Sequence, residues 1–154
     1  MDRKDRQIVR ELQKNGRLTN LELAERVNLS PSPCLRRLRN LEESGVIEGY
    51  AALVNQRAYG VPLTVFVNIA LDKHAKDTVD GFERKVCEID SILDCFMTTG
   101  DSDYLLRVVV PDIAAYDQVY KQLIQQVPLS DVSSSFAMEE LKYTTAVPLH
   151  YAAG

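Results

Sequence analysis

A single residue, Leu29, separates Asn28 from Ser30, and this short spacer constrains the chain more than any other feature. Before it, Leu23, Ala24 and Val27 form an apolar stripe at helical spacing. Thr19 and Glu22 are spaced as a capping box, and Leu18 and Leu23 as a hydrophobic staple. A helix therefore starts near Asn20 and ends at Asn28. After the spacer, Ser30-Pro31-Ser32-Pro33 opens a second helix. Serine caps an N-terminus, proline fits a first turn that needs no amide hydrogen, and either serine suits the cap. This helix runs through Cys34 and Leu41 to a stop at Gly45. An earlier helix carries Ile8, Val9 and Leu12 and stops at Asn15-Gly16, where both residues tolerate the left-handed conformation. Two helices joined by so short a turn predict a helix-turn-helix, the second helix being the reader.

The reading helix can be turned residue by residue, about 100° each. Cys34, Leu35, Leu38 and Leu41 then share one side and face a core. Arg36 and Asn40 lie opposite, with Ser32 and Pro33 close by and Arg37 and Arg39 flanking. Arginine can bond a guanine edge with two parallel hydrogen bonds, and asparagine can do the same for adenine. Flanking arginines reach phosphates. Ser32, Pro33 and Arg36 are thus the first expected base contacts. Thr19, Asn20, Ser30, Arg37, Arg39 and Asn40 complete the expected DNA-binding set. An arginine-rich helix face is also an ordinary solvated face. The capped, tightly turned helix in front of it moves the reading to double-stranded DNA.

The charge distribution agrees. The whole chain carries a net −4, which argues against a polyanionic partner. Residues 1–60, however, hold 11 Lys+Arg against 8 Asp+Glu, a net of +3, and residues 61–154 hold 7 against 14, a net of −7. Such a split predicts two domains with different partners, the basic one suited to DNA. Cys34, Cys87 and Cys95 are odd in number and widely spaced, so reduced, mostly buried thiols are expected rather than zinc or disulfides. His74 and His150 have no partner ligands near them in sequence. No metal site, cofactor or catalytic residue is expected, and the chain is not read as an enzyme. No apolar run is long enough to span a bilayer, and Met1–Arg6 lacks a signal-peptide core, so no membrane partner and a cytoplasmic location are expected.

Beyond Gly45, the segment 46–54 is β-prone, and Asn55–Gly60 followed by Pro62 reads as a linker. The expected domains are residues 1–60 and 61–154. The second domain changes period. Thr64–Leu71 alternates, with Val65, Val67, Ile69 and Leu71 on one face. Ala75–Ile89 is helical, with Val79, Phe82, Val86 and Ile89 inward. Strands are expected at Ile92–Thr99 and Tyr104–Val110, joined by the turn Gly100-Asp101-Ser102-Asp103. Pro111-Asp112 opens another helix, with Ile113, Tyr116, Tyr120, Leu123 and Val127 inward and Pro128 ending it. Val132–Leu141 is a fourth strand, and Tyr143–Leu149 suits a fifth. The order β-α-β-β-α-β is the ferredoxin-like arrangement, both helices on one face of an antiparallel sheet. The fold class is therefore α+β: a winged-helix-like helix-turn-helix domain followed by a ferredoxin-like domain.

The chain resembles the Lrp/AsnC, or feast/famine, family of transcription regulators. The resemblance covers nearly its whole length. It is carried by Asp5-Arg6-Gln7-Ile8-Val9, Asn15-Gly16-Arg17, the run 29–38 from Leu29 through Ser30-Pro31-Ser32-Pro33 to Leu38, and Leu41-Glu42-Glu43-Ser44-Gly45-Val46-Ile47. In the second domain it is carried by Thr99-Gly100-Asp101-Ser102-Asp103-Tyr104-Leu105-Leu106 and Met138-Glu139-Glu140-Leu141-Lys142. The Ser-Pro-Ser-Pro-Cys-Leu-Arg-Arg run is more similar to the leucine-responsive type than to the asparagine type.

The resemblance implies that Gly49–Asn55 is a strand pairing with a dimer partner, that the C-terminal sheets stack into dimers, and that dimers assemble further, an octamer being expected. It implies an amino-acid effector, leucine or another apolar amino acid, bound between dimers near the turn after the second strand. Carried over by motif, the effector set is Gly100, Asp101, Asp103 and Tyr104 with Ser135, Phe136 and Ala137. The chemistry fits. An aspartate can hold the ammonium, turn amides or hydroxyls the carboxylate, and Phe136 and Ala137 an apolar side chain. Gly-Asp-Ser-Asp is equally a good hairpin turn with no ligand. Two other readings remain: an architectural DNA-binding protein without ligand, and an amino-acid-sensing subunit of an enzyme.

Overall fold

The computed structural model describes residues 1–72, 76–126 and 128–151, with only the backbone of Gln126. The expectations for His74, Val127 and a helix start at Ala75 lie outside the described residues. Two compact units emerge. One comprises Met1–Leu53 with Lys142–Gly154, the other Val54–Leu141. The expected break near residue 60 is thus displaced to 53/54, and the C-terminal stretch belongs with the first unit. Its packing explains this. Leu149 packs against the first unit's core, and the Gln13 side chain bonds the Val147 backbone through both its oxygen (2.5 Å) and its nitrogen (3.2 Å).

The first unit contains α1 (Arg3–Lys14), α2 (Asn20–Val27) and α3 (Pro31–Glu43). Its core is Ile8, Val9, Leu23, Ala24, Val27, Cys34 and Leu41, with Leu12, Leu18 and Leu38 packed around it. The caps are largely those the sequence encodes. Thr19 accepts the Glu22 amide while the Glu22 carboxylate accepts the Thr19 amide. Asn28 closes α2 in the left-handed conformation (φ 52°), and Gly45 follows α3 at φ 73°. The end of α1 differs from expectation. Asn15 is extended (φ −150°), so that helix stops by unwinding rather than through a left-handed cap. Ser30 is the cap of α3 by position, but its side chain makes no capping bond.

Residues 48–55 form no strand, contrary to the β-prone reading, and neither do residues 143–148; the chain instead forms a 3-10 turn at Leu149–Tyr151. Tyr50, Leu53 and Val54 are exposed. A strand needs a neighbour for its ladder, and these segments find none among the described residues.

The second unit has the expected β-α-β-β-α-β order: β1 (Leu63–Leu71), α4 (Lys76–Glu88), β2 (Ile92–Met97), β3 (Tyr104–Val110), α5 (Ile113–Gln126) and β4 (Leu129–Phe136). The sheet is antiparallel, ordered β2-β3-β1-β4. Alternation in β1 buries Val65, Val67, Ile69 and Leu71 against Phe82, Val86 and Ile89 of the α4 region and Tyr116, Val119 and Leu123 of α5. Phe66 points to the other face and is exposed. Some details depart from expectation: β2 ends at Met97 rather than Thr99, where Thr98 turns its amide and hydroxyl to the hairpin loop. The fourth strand begins and ends earlier than 132–141, and Ile113 is exposed rather than inward. Ile113 stands in the first turn of α5, where the Asp112 carboxylate accepts the Ala115 amide.

Candidate DNA-binding and effector sites

The structure leaves most residues of the expected reading face exposed on α3. Ser32, Pro33, Arg36, Arg39 and Asn40 are all exposed, and helical geometry puts them within about 60° of Arg36. Cys34 and Leu41 are buried on the opposite side and anchor the helix. Burial also pushes the Cys34 thiol up, so it behaves as an apolar filler. Cys87 and Cys95 are exposed, against the expectation of buried thiols.

Three residues of the expected DNA set are occupied within the unit. The Thr19 hydroxyl is engaged with Glu22, and the Thr19 amide and hydroxyl hold that carboxyl below its usual range. Asn20 donates through Nδ2 to the Pro31 carbonyl (2.9 Å), tying the start of α2 to the start of α3. Arg37, expected to flank the reading face, instead bonds Asp2 (2.6 Å) and Asp5 (2.7 Å) at the start of α1. The wheel places Arg37 correctly in angle. It carries no information about which acids, 35 and 32 residues away in sequence, lie beside it.

In the second unit the turn between β2 and β3 is built as a hairpin. The Thr98 amide donates to the Asp103 carbonyl (2.8 Å), and its hydroxyl donates to the Ser102 carbonyl (2.9 Å). Gly100 has φ 113°, a conformation that side chains resist. Asp101 is exposed, whereas the Asp103 carboxylate accepts the Leu71 amide (2.7 Å). Tyr104 is buried beside Phe82, ring centroids 4.5 Å apart, and its hydroxyl donates to Glu83 (3.2 Å). Burial first, then the Glu83 charge, pushes the Tyr104 hydroxyl up to about 12.

One protomer does not bring the two halves of the expected effector set together. Tyr104 is in register with Ile69, and Phe136 with Val65. Those rows are four residues apart along β1, about 13 Å at strand rise, and Tyr104 and Phe136 lie on strands flanking β1 on opposite sides. Neighbours in β4 also diverge. Phe136 packs edge-on against Tyr116 on the helix side, while Ser135 lies opposite Phe66 on the other face. A cleft of 1140 Å³ in the first unit, between the end of α1, residues 46–53 and residues 145–151, is lined by none of the expected effector residues.

A helix-turn-helix with an exposed basic second helix on one unit, and a separate βαββαβ unit, are the architecture of a DNA-binding transcription regulator with its own regulatory domain. The comparisons agree unit by unit. Residues 1–48 match a winged helix-turn-helix DNA-binding model and residues 64–147 the Lrp/AsnC ligand-binding domain. The leucine-responsive regulatory proteins of Escherichia coli and Salmonella typhimurium are each 43% identical over 143 residues, 92% of this chain and 87% of theirs. An AsnC family transcriptional regulator from Agrobacterium tumefaciens superimposes with a TM-score of 0.96 at 46% identity, covering 99% of this chain and 100% of that one. A transcriptional regulator of Neisseria meningitidis, solved as its L-methionine complex, gives 0.93 at 42% identity over 97% of each chain. The chain belongs to the Lrp/AsnC family of transcription regulators.

Among the described residues, no helix is long and apolar enough to cross a membrane, and no group of three or more metal-ligating side chains comes together.

Proposed function

We propose that this regulator reads operator DNA with Ser32, Pro33, Arg36 and Asn40, uses Arg39 on phosphates, and changes its assembly or DNA affinity when it binds an apolar amino acid. It works by binding rather than catalysis, in the bacterial cytoplasm where the chromosome is. The observation that carries the effector half is the Neisseria relative, so similar in structure, with L-methionine bound. A Mycobacterium tuberculosis feast or famine regulator, 29% identical with a TM-score of 0.87, was also solved with L-methionine. Methionine and leucine are therefore the first effectors to try.

The separation of Gly100–Tyr104 from Ser135–Ala137 supports a site completed between copies, the two halves coming from different protomers. Asp101 is the exposed carboxylate of the turn and takes the ammonium. Dimers form through the sheet face that carries Phe66, and dimers assemble further, towards an octamer. Several reading heads on one assembly raise the effective concentration of each successive DNA contact. An interface ligand acts by favouring one assembly over another, which is the only way binding energy can shift an equilibrium.

The test is a titration of the full chain with each of the twenty amino acids, reading affinity for a selected duplex and solution mass together. Leucine or methionine is expected to move at least one of the two. A chain that binds the duplex equally well in all twenty, with unchanged mass, is an architectural protein and ends the effector reading.

A further inference from the structure

We propose that Arg37 is a positioning residue rather than a DNA contact: with Asp2 and Asp5 it sets the orientation of the reading helix. This inference rests on α3 being that helix. Arg37 uses one nitrogen, Nη1, for both carboxylates. Its side chain is 31% exposed and that of Asp5 only 18%, so the pair is partly shielded from solvent and salt screens it less than a surface pair. The two acids favour the charged guanidinium, first through the hydrogen bond to Asp5 and then through that to Asp2.

The same turn of α1 grips the other helix of the motif. Lys4 donates through Nζ to the carbonyls of Val27 and Asn28, at the C-terminal end of α2. A cation there meets carbonyls that the helix leaves unbonded, at the negative end of its dipole. Asn20 then joins α2 to α3 through the Pro31 carbonyl. Asp2, Lys4 and Asp5 thus hold both helices of the motif from behind, and Asn20 holds them to each other.

This arrangement has a consequence for DNA. Base-edge hydrogen bonds from Arg36 and Asn40 require accurate placement, whereas phosphate contacts tolerate small changes of angle and carry no sequence information directly. Loosening the Arg37 tie should therefore damage discrimination before it damages general affinity.

The experiment uses full-length protein, a duplex selected from a random pool by the wild type, and a scrambled duplex, each titrated across a salt series. Arg37→Ala and Asp5→Asn are expected each to weaken the selected complex about tenfold, the size of one lost base contact. The scrambled complex and the salt slope should stay nearly unchanged, and the double variant should be no worse than the single ones. Arg37→Lys, whose ammonium can sit between the same acids, should restore most of the loss. The inference is overturned if Arg37→Ala weakens both duplexes alike and lowers the salt slope by about 0.9, the mark of one lost phosphate contact. It is equally overturned if Asp5→Asn tightens both complexes by releasing Arg37. Should Arg37→Ala unfold the first unit, Asp5→Asn, which keeps an acceptor oxygen, carries the same test. Arg36→Ala serves as the reference. If it too leaves discrimination intact, α3 is not the reader and the positioning role falls with that assignment.

Discussion

The carboxylate of Asp103 accepts the amide hydrogen of Leu71 at 2.7 Å, while the Asp103 amide donates to the Ile69 carbonyl at 2.8 Å. The two bonds button the β2–β3 hairpin to the end of β1, where the β1–β4 register shifts between Ala70 and Leu71. Asp103→Ala should therefore lower the unfolding free energy of the chain by about 1–3 kcal/mol, the usual cost of leaving a partly buried amide without its charged acceptor. Asp103→Asn should recover part of it. Urea denaturation followed by circular dichroism reads the difference, and an unchanged midpoint would deny the bond a structural role.

Asp101 offers the cleaner probe of the effector. It sits exposed on the same turn, so Asp101→Ala should change stability by no more than about 0.5 kcal/mol, as for an ordinary surface residue. Calorimetric titration with L-methionine should show affinity reduced by about tenfold or more if Asp101 holds the ammonium. Equal affinity in variant and wild type would remove Asp101 from the site.

Alkaline pH should destabilise both units over the same interval. Partial burial first, then the bond to Glu42, pushes the Tyr50 hydroxyl up to about 12 although the residue is half exposed, so solvent screening makes its share of the effect the smaller; Tyr104, buried, reaches about 12 through burial and Glu83. A group whose folded value is raised keeps its full contribution below the unfolded value, near 10, and loses it as pH climbs through the folded one. Stability should thus fall between about pH 10 and 12. Spectrophotometric titration of Tyr50→Phe and Tyr104→Phe should each remove one late-ionising phenol. Loss of an early one instead would contradict the assignment.

Phe66 lies on the sheet face away from α4 and α5, in register with Arg107 and Ser135. Phe66→Lys should reduce the solution mass towards that of one chain, because it sets a second cation beside Arg107 in the contact, where a buried charge without a partner is costly, while leaving the far-ultraviolet dichroism of the chain unchanged. A full-sized assembly in light scattering would place the dimer contact elsewhere.

Local chemistry is legible in the sequence, and contacts distant in sequence are not. The Thr19–Glu22 box, the left-handed Asn28 and the alternation of Val65, Val67, Ile69 and Leu71 are set by neighbours within a few residues, so spacing alone predicts them. Residues 46–54 and 143–149 have the composition of strands, but pairing is decided by a partner that composition does not name. Arg37 shows the same limit at a site. Its angle on the helix follows from counting, whereas its pairing with Asp2 and Asp5 depends on where α1 begins in space. Asp103 reads as a ligand contact because turn chemistry and ligand chemistry use the same carboxylate. Its bonds to Leu71 and Ile69, distant in sequence, add a structural role that spacing does not show.

The last consequence concerns synthesis. Chains commonly fold from the N-terminus as they emerge. Here the first unit bonds the Val147 backbone through Gln13 and packs Leu149 against its core, and both residues are translated after β4, the last strand of the second unit. The three helices of the first unit are complete early, but the unit closes only after every strand of the second has left the ribosome. A nascent or prematurely ended chain therefore carries a reading head that lacks its final contacts, and the finished DNA-binding unit certifies that the regulatory unit has been made.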